Sequence, residues 1–317
     1  MALETMVNVA HLHLLLNHVP TVGTTIAIGL MLLALVRRND HLKHVSLEVF
    51  FLVALATLPA YMTGVAAQMS IEGREGVTQQ IIDLHHDAAL VAFILMQITG
   101  AFAWLALWQF RRRSSPAGWA LTVVLLLSVL TVSVMARAAT LGGEIRHQEI
   151  RIEDATPAVP GAGWLTKAGL QNLVTTYPWV WPAAETLHFL GLCLIFGVLG
   201  LINLRLMGVM RGIPFAAVHR LLPWGMLGFA VNLATGMIFF ISTSEQYTAN
   251  GPFYWKMLFL MLAGLNFLYL TVVDHAFRLA PGDDTPVYDK AIAVSAIALW
   301  IGVIYWGRML PFIGNAF

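Results

Sequence analysis

Apolar residues in this chain do not alternate with polar ones; they run on in blocks. Eight blocks stand out, at about 10–36, 44–67, 84–110, 117–140, 183–207, 219–243, 254–277 and 289–310. A helix rising about 1.5 Å per residue needs roughly 20 apolar residues to cross about 30 Å of hydrocarbon, and each block meets that length. Membrane β-strands are shorter and alternate in polarity, so a barrel does not fit. The pattern predicts an all-α polytopic membrane protein of eight transmembrane helices.

Composition agrees with that reading. The chain is 58% hydrophobic and 11% charged, whereas a soluble domain carries about 25% charged residues. A soluble enzyme and a nucleic-acid binder are both excluded, and a net charge of +1 says nothing about partners. Cys193 is the single cysteine, which leaves no internal disulfide, no C-x-x-C-H haem attachment and no cysteine-built metal cluster. The segment before the first block has neither a basic stretch nor a small-residue cleavage site, and reads as mature sequence rather than a signal peptide.

The longest connection, 141–182, holds Pro157, Pro160, Gly161 and Gly163. It predicts a structured external loop dividing two four-helix bundles, residues 1–140 and 183–317. Alternate connections carry Arg37, Arg38, Lys43, Arg111, Arg112, Arg113, Arg205, Arg211, Arg220, Arg278 and Lys290. The opposite side carries Arg74, Arg146, Arg151, Lys167, Lys256 and Arg308. Short basic loops stay in the cytoplasm, so both termini should be periplasmic, in a bacterial inner membrane. Trp179, Trp181, Trp255 and Trp306 near block ends fit an interfacial belt, and Asn232 and Asn266 at mid-depth fit hydrogen bonds between helices.

The candidate chemistry lies in the 11 histidines. Imidazole is costly in lipid and usually faces an interior, a cavity or a cofactor. With the topology above the histidines form two layers, with none at mid-depth. His11, His13, His18, His85, His86, His147 and His188 are outer, and His41, His44, His219 and His275 inner. Two imidazoles from different helices at one depth are what a six-coordinate b-type haem requires. His18 with His86 is the outer pair expected, His219 with His275 the inner pair, and His188 a third outer candidate. Arg137 is placed to meet haem propionates. His11, His13, His41, His44 and His147 are expected to be interfacial, with their rings toward water.

A metal reading competes. Glu185-Thr-Leu-His188 and Asp83-Leu-His-His86 each set a carboxylate and an imidazole at i, i+3 on one helix face, as in di-iron bundles, but the two further carboxylates such a site needs are missing. A mononuclear copper or zinc site from His18, His86 and His188, with Glu185 nearby, is the simpler form.

The stretch from His11 through His18 to Pro20, Asp83-Leu-His-His-Asp87, and Arg137-Ala-Ala-Thr-Leu-Gly-Gly-Glu-Ile-Arg-His147 together resemble the DUF2231-type bacterial membrane proteins. Those are uncharacterised four-helix proteins with a histidine-proline entry to the first span and a Gly-Gly turn after the fourth. The second half is similar to a further uncharacterised four-helix family of the DUF6644 kind. Glu185-Thr-Leu-His188, Leu204-Arg-Leu-Met-Gly208, Leu222-Pro-Trp224 and Phe253-Tyr-Trp-Lys256 carry that similarity. The resemblance implies the division into halves and marks His18, His86 and His188 as family features; it brings no biochemical function.

The reading that follows is a membrane electron-transfer subunit like a b-type cytochrome. Non-covalent haem b would be its cofactor, and it would pass electrons between quinone and a periplasmic redox protein such as a c-type cytochrome, within a larger respiratory complex. Glu185, Glu144 and Arg137 are the groups expected to serve a quinone. The alternatives are a non-haem metal-binding or transport protein, and a cofactor-free structural subunit.

Overall fold

In the computed structural model, residues 9–74, 77–113, 118–146, 159, 162, 165–273 and 275–313 are described; His147 lies outside them. Among these residues there is no strand. The helices are α1 Val9–Leu16, α2 His18–Val36, α3 Asp40–Ile71, α4 Gln79–Arg113, α5 Gly118–Arg146, α6 Lys167–Thr176, α7 Val180–Leu206, α8 Phe215–Val218, α9 Leu222–Ser242, α10 Ser244–Thr248, α11 Gly251–Val272 and α12 Val287–Met309. Eight spans, counting α1–α2 and α8–α9 as one each, are long and apolar enough to cross a membrane, as the sequence leads one to expect.

Local chemistry sets the breaks. Pro20 has no N–H to return to Leu16 four residues earlier, and the first span is interrupted at Asn17 between α1 and α2. The α2–α3 turn closes with Arg38 at φ 50° and Asn39 N–H donating to Ala34 O at 2.9 Å. Asn39 then caps α3, its side chain accepting from Leu42 N–H at 3.0 Å. The 141–182 connection is shorter than the sequence suggests, because α5 continues to Arg146 and α6 occupies part of the remainder.

The chain forms two compact units, residues 1–104 with 117–176, and residues 105–116 with 177–317. The end of α4 therefore belongs to the second unit. Trp108 donates to His219 O at 3.1 Å there, and Arg112 to Ala216 O at 3.1 Å.

In the first unit α3 and α4 carry the core, and small residues let helices approach. A Cβ on Gly23 would fall 2.6 Å from Val53 Cγ2, and one on Gly100 would overlap Ala54. In the second unit Gly191 of α7 meets Gly228 of α9 almost backbone to backbone. Asn266 donates to Ile292 O across α11 and α12 at 3.2 Å, the interhelical bond expected of it. Asn232 instead donates within α9, to Gly228 O at 3.1 Å, and its amide fills the gap that Gly191 leaves. Trp255 stacks on Trp306 with centroids 5.8 Å apart.

Candidate functional site

The first unit concentrates its polar chemistry at the start of α4. Asp83, His85, His86 and Asp87 each take a different partner, because successive helical residues turn by about 100° and only Asp83 and Asp87, at i and i+4, share a face. Asp83 accepts from Gln79 Nε2 one turn earlier at 2.9 Å. His85 Nδ1–H donates to Ala138 O of α5 at 2.9 Å. His86 faces α3: Nδ1–H donates to Gln68 Oε1 at 3.2 Å, and Nε2 accepts from the Tyr61 hydroxyl at 2.9 Å. Asp87 accepts from Lys167 N–H at 3.1 Å and so caps α6 from another helix.

His13 repeats the His85 arrangement on α3. Its Nδ1–H donates to Ala60 O at 3.0 Å, and its ring covers Gly64, four residues on, where a Cβ would lie 2.8 Å from Cε1. His85 likewise covers Gly142, four residues after Ala138, where a Cβ would lie 3.0 Å from Cε1. In a helix the residue at i+4 screens the carbonyl of i, so a glycine there opens a path for an imidazole to reach it. Ala60-x-x-x-Gly64 and Ala138-x-x-x-Gly142 are the same device on two helices. A carbonyl only accepts, so Nδ1 carries the proton and Nε2 holds the lone pair. Neither Nε2 has a hydrogen bond among the described residues, and the two rings lie within electrostatic reach of each other. The apolar cluster of Ile81, Ala88, Ala138 and Leu141 backs the α4–α5 contact.

The two members of the expected outer pair sit in different surroundings. His18 is exposed on α2, while His86 is buried with both nitrogens hydrogen-bonded. Ligation by His86 would require breaking the Tyr61 bond. His13, expected to face water, is anchored inside the unit. Arg137, partly buried, directly precedes the Ala138 whose carbonyl holds His85. No sequence signal separates His85 from His86; the usable clue is a glycine four residues after an alanine on two spans, α3 and α5.

In the second unit His188 of α7 has the same tautomer by a different route. The Thr235 hydroxyl donates to Val231 O at 2.8 Å, so its oxygen accepts His188 Nδ1–H at 2.7 Å and Nε2 stays open. Glu185 does not join it; it accepts from Trp181 Nε1 at 3.1 Å. Tyr247 of α10 is pushed up to about 12, chiefly by burial and then by the Glu185 charge.

The two members of the expected inner pair also sit in different surroundings. His275 Nε2–H donates to the buried Asp289 carboxylate, 2.7 and 2.6 Å from its two oxygens. The Tyr288 hydroxyl lies 3.0 Å from His275 Nδ1, and Tyr269 donates to Asp289 at 2.7 Å. Both His275 nitrogens are engaged. His219 is 1% exposed, set between the rings of Phe215 and Phe277 at 5.9 and 5.4 Å. It faces the carbonyls of Leu270 and Thr271 without a hydrogen bond of good geometry to either.

Among the described residues no three His, Cys, Asp or Glu side chains gather as a metal site. Comparison with protein-family models, curated proteins and solved structures gives no match.

Proposed function

We propose that this protein is a membrane electron-transfer subunit of the b-type cytochrome kind, with a haem held between His13 and His85. The observation that carries the reading is their twin anchoring. A metal-ligating histidine characteristically donates its other ring N–H to a carbonyl or carboxylate, which fixes the tautomer and aims the free nitrogen. His13 and His85 both do so, from α1 and α4, in one unit.

The residues fit the group. Two open imidazole nitrogens from different helices suit axial ligation, and Arg137, next to Ala138 in sequence, is the arginine offered for a propionate. Bound haem supplies one-electron exchange. The chain's own part is to orient the imidazoles through Ala60 and Ala138. The basic-residue asymmetry favours an inner-membrane protein whose His13 end and both termini face the periplasm, with two four-helix halves. Electrons would then pass between membrane quinone and a periplasmic redox protein such as a c-type cytochrome, inside a larger complex.

An optical spectrum of the purified protein tests this. A Soret band and a sharp reduced α-band are expected, with pigment that acidified organic solvent extracts, since no thioether holds it. A colourless preparation from haem-replete cells, carrying stoichiometric copper or zinc, would refute the reading.

A further inference from the structure

At the His188 end of the second unit, two polar groups from different helices have unused bonding capacity. Lys256, in the second turn of α11, meets no carboxylate or carbonyl among the described residues. Its stem lies over Gly307 of α12, where a Cβ would stand 3.5 Å from Cε and 3.6 Å from Nζ. The open nitrogen of His188 is the second group, and the Lys256 charge reaches its ring. Space is kept beside that ring, since a Cβ on Gly236 would touch nothing but His188 Cε1, at 3.7 Å. Aromatic walls complete the place: Phe239 lies 5.7 Å from His188 and 4.9 Å from Trp181.

An ammonium inside a span is expensive without a partner, and its presence marks a functional position. The two groups ask for opposite things. Nε2, bearing the lone pair, needs a hydroxyl that donates to it; Lys256 needs an oxygen that accepts and tolerates negative charge. A carboxylate or phosphate offers acceptors at both ends and would repel the lone pair. A flat ring with oxygens at opposite ends, able to donate from one, satisfies both and suits aromatic walls facing a glycine.

We propose that this site takes the head group of a membrane hydroquinone, one hydroxyl donating to His188 Nε2 and the other oxygen accepting from Lys256 Nζ. The choice of a redox ring rests on the electron-transfer reading above; the site itself rests on His188, Lys256, Gly236 and Gly307. Thr235 is a positioning residue, since its hydroxyl oxygen keeps the proton on Nδ1 and the lone pair on Nε2.

The full chain in lipid nanodiscs, titrated with a short-tailed benzohydroquinone in equilibrium dialysis, tests the proposal. Saturable binding is expected, weakened at least about tenfold in Lys256→Met and in His188→Phe by loss of one polar partner, and retained in Lys256→Arg. If Lys256→Met does not fold, Gly236→Leu fills the space beside the His188 ring while leaving both polar side chains in the sequence, and should lose binding equally. The haem spectrum should be unchanged in all variants. Wild-type affinity in both Lys256→Met and His188→Phe, no saturable binding to the wild type, or haem loss in His188→Phe would each overturn the site. A colourless protein that binds the probe through these residues would instead overturn the haem reading and leave the site standing.

Discussion

Replacing Gly64 by alanine tests the imidazole anchoring on its own terms. The new Cβ would stand 2.8 Å from His13 Cε1 and 3.2 Å from Nδ1. Carbon atoms rest at about 3.5 Å or more, so the ring must retreat by about 0.7 Å. It cannot retreat and keep its 3.0 Å bond to Ala60 O, because the methyl lies between the ring and the helix that holds it. Overpacking of this kind costs about 1–3 kcal/mol, and a lost hydrogen bond adds about 1 kcal/mol. At Gly142 the Cβ would meet His85 Cε1 at 3.0 Å, a shortfall of about 0.5 Å, so Gly142→Ala should do the same less severely. Gly29→Ala is the control: its Cβ meets nothing within 4 Å, and alanine gains about 0.5–1 kcal/mol over glycine inside a helix. Haem retained per protein, with the thermal midpoint in detergent, orders the three variants as Gly64→Ala below Gly142→Ala below Gly29→Ala. Gly64→Ala matching Gly29→Ala in both measurements would refute the anchoring.

Tyr61→Phe leaves buried His86 without the hydroxyl that satisfies Nε2, and should cost about 1–3 kcal/mol in denaturant unfolding while leaving the haem bands in place. Asn39→Ala removes the α3 cap and should cost about 1 kcal/mol in the same assay. Tyr247 stays protonated in the fold up to about 12. Its contribution to stability is therefore complete below about pH 10, where the unfolded phenol ionises, and is lost as pH rises through the folded value. Glu185→Gln should return the Tyr247 phenol toward its ordinary value in an ultraviolet titration, and an unchanged titration would exclude the Glu185 charge as a cause. A tag in the connection 114–117 should be protected in spheroplasts and one after Phe317 accessible; the reverse would invert the membrane orientation.

The spans were legible because hydrocarbon thickness imposes a length that apolar blocks display directly. Which histidine does what was not legible. His85 and His86 are neighbours in sequence, yet they face different helices, and the outcome turns on Gly142 of α5 for the first and Tyr61 of α3 for the second. Depth alone also placed His219 and His275 together, but the Asp289 carboxylate, entering from α12, takes the His275 nitrogen first. The Glu185-x-x-His188 spacing suggested a shared ligand, and Trp181 on the same helix claims the carboxylate. Hydrogen-bond competition within the fold decides such cases, and periodicity does not report it.

The most direct measurement of the central claim is the low-spin ferric haem signal of the purified protein, by electron paramagnetic resonance, in four single variants. His13→Ala and His85→Ala each remove one axial nitrogen, and each should abolish the bis-histidine signal. His18→Ala and His86→Phe should keep it, because His18 is exposed and His86 spends both nitrogens on Tyr61 and Gln68. Loss of the signal in His18→Ala or His86→Phe, with His13→Ala and His85→Ala unaffected, would contradict the account.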